Sequence, residues 1–202
     1  MKIALFGKMR SGKDTVGKML IEEEGFKRFA FATGIGQIIE EYFPEAVAEG
    51  KKPRKHYQHI GQQLRQLNED VWINYLLKEI DEAGAGFVVV TDGRQYNEAQ
   101  RLRENGFTII KVEAPDELRI KRIEAAGDQF TPDLFTHETE LQVDLIEADY
   151  TIVNDSDLES LRDKLQITLA DMFAKQQDIS FYVAYYILFG ECVEGEGAGL
   201  HE

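Results

Sequence analysis

One cysteine, Cys192, stands in a chain of 202 residues, too few for an internal disulfide framework or a Cys-rich zinc site. A reducing, intracellular compartment is therefore allowed. Cations are scarce as well: 23 Lys and Arg face 37 Asp and Glu, a formal net charge of -14, with a pI near 4.8. That shortage argues against a general DNA- or RNA-binding role, since polyanion binding draws on a field of positive charge. It leaves nucleotide binding open, because a few phosphates need only a few well-aimed cations and amides. Long apolar runs are missing too. The longest, Phe181 to Phe189, falls well short of the roughly 20 residues that cross a bilayer. The start, Met1-Lys2-Ile3-Ala4-Leu5-Phe6, is too short an apolar stretch for a signal peptide. The expected setting is the cytoplasm, with neither a membrane nor a nucleic-acid polymer as partner. Two further motifs are absent: the Asn-Lys-x-Asp of a guanine-specific GTPase and the Gly-x-Ser-x-Gly elbow.

What is present is ordinary globular composition, 43% hydrophobic and 30% charged, arranged as alternating elements. Short apolar strands are expected at 3–6, 29–32, 87–90, 108–112 and 150–153. Between them the periodicity predicts helices at 14–24, closed by Gly25, and at about 36–42, stopped by Pro44. One long helix is expected from Ile60 through Leu64, Leu67, Val71, Tyr75 and Leu76. Further helices are expected at 97–104, from Pro115 to Gly127, and at 157–173, with Leu158, Leu161, Leu165 and Leu169 on one face. This alternation implies a three-layer α/β fold. Five mostly parallel strands are flanked by helices, and ligands bind at the carboxyl ends of the strands. The expected organisation is one domain over 1–175, with an insertion near 34–80 that would admit a ligand and a lid-like insertion near 115–147. A C-terminal extension, 176–202, ends in a Gly- and Glu-rich mobile tail.

Gly7-Lys8-Met9-Arg10-Ser11-Gly12-Lys13 has P-loop spacing and lies after a strand and before a helix. Glycines at both ends let the loop curl so that successive amides point at a phosphate, and the following helix adds the positive end of its dipole. Gly7, Arg10, Ser11, Gly12, Lys13, Asp14 and Thr15 are therefore candidates for binding ATP phosphates, with Lys13 reaching the β- and γ-phosphates. The residue after the lysine usually offers a hydroxyl to Mg²⁺. Here it is Asp14, with Thr15 one step later, so Asp14, Thr15 and the strand-end Asp92 are the candidate metal ligands. Asp92 has an alternative reading as a helix cap.

Phosphoryl transfer requires positioning and cationic cover more than covalent help. Arg65 and Arg94 suit a clamp on an acceptor's own phosphate, and Arg119 and Arg122, three apart on one helix face, suit a lid. Lys13, Arg94, Arg119 and Arg122 are thus the candidate catalytic residues. Trp72, Tyr57 and Tyr75 offer rings for a base, against a reading of Trp72 as core. His56 and His59 lack a third ligand nearby, so a metal site there is not expected. The aromatic run Phe181-Tyr182-Val183-Ala184-Tyr185-Tyr186 is expected to pack on the sheet or across a homodimer contact.

Together these segments resemble the bacteriophage-type deoxynucleoside monophosphate kinases. The likeness lies in Gly7 to Thr15, in Phe29-Ala30-Phe31-Ala32, and in Ile60-Gly61-Gln62 through Arg65 to Trp72. It continues in Asp92-Gly93-Arg94-Gln95-Tyr96-Asn97-Glu98-Ala99, in His137-Glu138-Thr139-Glu140 and in Asn154, and covers roughly residues 1–165. The resemblance implies an NMP-kinase-like fold, ATP and Mg²⁺, acceptor contacts from Arg65, Arg94 and Trp72, and a lid around Arg119 and Arg122. Dephospho-coenzyme A kinases and phosphomevalonate kinases share much of the pattern.

Overall fold

The computed structural model describes residues 1–48, 53–127 and 138–190. Lys51 and Lys52 of the basic turn, the middle of the expected lid with His137, and the tail with Cys192 lie outside the described residues. The chain divides into two compact units, Met1–Asp155 and Ser156–Glu202.

Five parallel strands form the first unit's sheet, in the order β2-β3-β1-β4-β5. Their ranges are β1 Lys2–Phe6, β2 Lys27–Phe29, β3 Val88–Gly93, β4 Thr108–Glu113 and β5 Tyr150–Val153. β1 is the centre, pairing Ile3 with Val89 on one side and with Thr108 on the other. Helices cover both faces of such a sheet, and the central strands read as continuous apolar runs for that reason: Ile3 to Phe6 and Val88 to Val90 are fully buried. The chain turns to opposite sides of β1 for its two neighbours, which opens a crevice at the carboxyl end of β1 where the P-loop emerges.

The helices of this unit are α1 Lys13–Glu22, α2 Ala32–Tyr42, α3 Pro44–Val47, α4 Arg54–Leu67, α5 Val71–Ala83, α6 Tyr96–Glu104, α7 Asp116–Ala125 and α8 Glu138–Asp144. Several boundaries differ from the sequence expectation, among them the start of α4, which lies at Arg54 and not near Ile60. The long helix from Ile60 is two helices. Asn68 is extended, and its side-chain oxygen accepts the Asp70 amide at 3.0 Å, a local turn that competes with the helix. Periodicity missed the break because both helices bury their apolar stripes in the same core, Ile60 and Leu64 from α4, Trp72, Ile73 and Leu76 from α5. The second strand ends at Phe29 because the Phe31 and Ala32 amides are captured by Asp92, which starts α2 at once.

The second unit holds α9 Leu158–Gln177 and α10 Phe181–Phe189. Asp157 caps α9 by accepting the Ser160 amide at 2.8 Å, as short carboxylates do at this position. The aromatic run is α10, joined to α9 by a 3.2 Å hydrogen bond between Tyr185 and Gln166. No helix among the described residues is long and apolar enough to cross a membrane.

Candidate active site

The P-loop is built around two glycines that tolerate nothing larger. Gly12 has φ +102, and a Cβ there would lie 2.0 Å from Asn154 Nδ2; one on Gly7 would meet Ser11 Oγ and the Val112 carbonyl, each at 2.6 Å. Arg10 also sits in the left-handed region, at φ 61, a cost of about 1 kcal/mol that surrounding contacts must hold. Arg122 and Asn154 supply them. Arg122 Nη1 donates to the Arg10 carbonyl at 3.2 Å, and Asn154 Nδ2 to the Ser11 carbonyl at 2.9 Å. Arg122 Nη2 in turn reaches Asn154 Oδ1 at 3.2 Å. The loop ends on α1, whose first-turn amides, those of Lys13 and Asp14 among them, have no intrahelical acceptor and face the crevice as an anion site.

Lys13 is buried. Its ammonium donates to the Thr91 carbonyl and to Asp14 Oδ1, the latter at 2.9 Å. Asp14 is 95% exposed at the side chain. Partial desolvation acts to raise its pKa but is outweighed by the Lys13 hydrogen bond and charge, with Arg94 and Arg10 adding, so its carboxyl lies below the usual range. Thr15 is half-buried one step along α1. Ser11 Oγ is buried with no hydrogen-bond partner. Lys8 points elsewhere, to Asp144 at 2.7 Å, beside a cavity of about 230 Å³ that Lys111 and Glu113 also line.

A second network fixes the other side of the loop. Met9 is held at both ends of its backbone. Its amide donates to Glu140 Oε1 at 2.8 Å, and its carbonyl accepts from Arg119 Nε at 2.8 Å. Arg119 and Glu140 also bond each other directly, and each is 2% exposed. Arg119 Nη1 goes to Asp116 at 2.8 Å. The arginine expected in a lid is thus a buried brace whose guanidinium is committed to the P-loop and its support. Glu140 also accepts from Arg94 Nη1 at 3.3 Å, which brings that arginine to the loop.

The acceptor arginines are linked by a third carboxylate. Glu98 closes a capping box at the start of α6: its Oε2 accepts the Arg94 and Gln95 amides at 2.9 and 3.0 Å. Its Oε1 faces Arg65 Nη2 at 3.4 Å. Met9, Glu140, Arg94, Glu98 and Arg65 therefore form one chain of contacts from the P-loop to α4. Two expectations are corrected. Trp72 is 3% exposed in the core, its Nε1–H given to the Gly61 carbonyl at 3.1 Å. It steadies the turn of α4 that carries Arg65, and core packing is the role its contacts display. Trp72→Phe should cost roughly 1 kcal/mol through loss of that buried hydrogen bond, read as a lower Tm. Asp92 divides its two oxygens between the Phe31 and Ala32 amides, at 2.9 and 3.0 Å, so capping α2 is the role its contacts display.

Glu98, Glu140 and Asn154 escaped the sequence reading as site residues, although each lies in a segment that carried the resemblance. The capping box was visible locally, with Glu98 three residues after Gln95. Glu140 and Asn154 reach the loop from more than 130 positions away.

A family model described as an AAA domain matches residues 3–132. No curated protein sequence matches the chain. Among solved structures, that of TT1252 from Thermus thermophilus gives a TM-score of 0.56 at 20% identity, covering 85% of this chain and 97% of its own. A gluconokinase from Sinorhizobium meliloti 1021 gives 0.54 at 15% identity, covering 88% and 95%. Shikimate kinase from Acinetobacter baumannii gives 0.52 at 20% identity, covering 87% and 94%. At these identities the likeness establishes the fold, the α/β P-loop architecture described above.

Proposed function

This chain belongs to the AAA domain family, and on that premise we propose that it moves the γ-phosphoryl group of ATP onto a (deoxy)nucleoside monophosphate. One observation carries the reading: two arginines are linked back to the P-loop, Arg94 through Glu140, which accepts the Met9 amide, and Arg65 through Glu98, which accepts the Arg94 amide. Donor phosphates would lie on the first-turn amides of α1. Lys13 would leave the Thr91 carbonyl for the transferring phosphoryl group. Arg94, tethered to the loop by Glu140, stands where it meets both the acceptor phosphate and the charge that spreads in transfer. Arg65 completes a guanidinium clamp.

The donor set fits a magnesium ion that arrives with the nucleotide. Mg²⁺ is held by one or two carboxylates plus substrate phosphates, and Asp14, exposed and favoured as a carboxylate, is the first such ligand, with Thr15 beside it. Bound there, the ion would neutralise charge between the β- and γ-phosphates. Asp92 is the more distant candidate, since the α2 amides already occupy both its oxygens.

A second reading has its own support. Burial of Trp72 removes one of the three aromatics that the sequence offered to a base, while the arginine pair suits any acceptor that carries a phosphate. Dephospho-coenzyme A and phosphomevalonate belong in the same assay for that reason. ADP release with Mg-ATP, measured against each NMP, each dNMP and these two compounds singly, should show turnover with a subset of the nucleotides. Turnover confined to a non-nucleotide acceptor would replace the first reading by the second. ATP binding without turnover on any acceptor would reject both.

A further inference from the structure

Among the described residues, Glu98 is a buried carboxylate on the acceptor side that the transfer chemistry leaves unused. We propose that Glu98 is a positioning residue for the acceptor clamp: its carboxylate holds Arg65 in waiting, and takes a proton from solvent when an acceptor phosphate draws that arginine away. The proposal rests on the reading that Arg65 and Arg94 meet a phosphate.

The geometry is asymmetric. Oε2 is held firmly by two amides at 2.9 and 3.0 Å, whereas Arg65 stands 3.4 Å from Oε1, long for a charge-assisted bond, which runs to about 2.9 Å. The firm half fixes the backbone at Arg94; the loose half is the one that can exchange. Glu98 is 4% exposed. Withdrawing Arg65 would strand an ionised carboxylate in the protein interior, and a buried acid in that position neutralises itself by binding a proton.

The surroundings already favour this. Burial pushes Glu98 up, against the Arg94 and Gln95 amides, and the charge of Asp92 adds to it against that of Arg65; the result is a pKa of about 7. From β3 the facing charge is Asp92, itself held by the α2 amides; from α4 it is Arg65. Arg94 directs its guanidinium to Glu140 at 3.3 Å, and farther along α6 Arg101 is engaged by Asp70 at 3.2 Å and Glu104 at 2.7 Å. An arriving phosphate adds negative charge and removes Arg65, so both changes raise the Glu98 pKa further. The sign follows by linkage. Binding takes up protons, so acceptor affinity is highest below about pH 7 and falls as pH rises through that value.

The test titrates each of the four deoxynucleoside monophosphates into the full chain at about pH 7.5, in two buffers of different ionisation enthalpy. Wild type should take up a fraction of a proton per acceptor bound, and its acceptor KM should rise several-fold between about pH 6.5 and 8.5. Glu98→Gln retains an oxygen for the two amides and should bind with no such uptake and a flat KM. The acceptor's own ionisation is common to both proteins and cancels in the comparison. Equal proton counts in the two proteins would overturn the proposal, and so would absence of uptake by wild type, which stands even where the variant does not fold. If no monophosphate binds, the acceptor reading itself fails and takes the proposal with it.

Discussion

Lys13→Ala should lower the rate of phosphoryl transfer by roughly 10³-fold or more, about 4 kcal/mol of transition-state stabilisation, while the protein stays folded. The ammonium ends a buried stem at the mouth of the P-loop, where the Thr91 carbonyl and Asp14 hold it. In water-poor surroundings a fixed positive charge aimed at the transferring group is worth far more than in solvent. The ground state is less dependent on it, because the helix-terminal amides remain to hold the donor's phosphates. The loss should therefore fall mainly on kcat. ATP affinity should weaken much less, and the Tm should move by a few degrees at most. Rapid-quench measurement of a single turnover, beside ATP binding and a thermal melt, separates these quantities. A variant that turns over at near the wild-type rate would take Lys13 out of the chemistry. A variant that loses ATP binding in the same proportion as rate would make it a ground-state anchor. Lys13→Arg keeps the charge but changes its reach and shape, so it should recover only part of the rate.

The sheet and the P-loop were legible in the sequence because each is written in adjacent residues. A strand buried on both faces must be apolar throughout, and a loop that curls around a phosphate must place glycines at fixed offsets. Both requirements are local, and Ile3 to Phe6 followed by Gly7 to Lys13 satisfies them without reference to the rest of the chain. The arginines were harder, since type and spacing do not give burial. Arg119 and Arg122 look alike three residues apart, yet Arg119 shares the buried face of α7 with Ile123, four residues on. That spacing was available as a sign that Arg119 points inward. What no local pattern could supply is the partner: Glu140 comes from α8 and Asn154 from the end of β5, and only the fold brings them to the loop. For Trp72 the sequence offers two readings, a ring for a base and a core residue among leucines at helical spacing, and the structure has it in the core.

The Arg119–Glu140 pair sets the largest stability effect expected in this molecule. Glu140→Gln should destabilise the protein by roughly 3–5 kcal/mol, because a guanidinium 2% exposed loses its buried anion and keeps the more exposed Asp116. For a domain of this size that corresponds to a fall in Tm on the order of 6–20 °C, large against the 5–15 kcal/mol that holds an average domain together. The damage should not stop at stability. Glu140 accepts the Met9 amide and Arg119 donates to the Met9 carbonyl, so the variant loosens the P-loop backbone and weakens ATP binding as well. Arg94 loses its tether in the same change, and the acceptor KM should rise with it. The pair's desolvation penalty suggests a sharper test. Arg119→Met alone leaves Glu140 with the Met9 amide and Arg94 and should be milder than Glu140→Gln. Combined, the two substitutions remove both buried charges and should recover part of the stability, giving a coupling energy of about 1–3 kcal/mol in a double-mutant cycle. Denaturant melts of the four proteins measure it. Strict additivity would mean that the two side chains hold the loop independently, and a Glu140→Gln cost below about 1 kcal/mol would mean that solvent reaches the guanidinium and the brace is no brace.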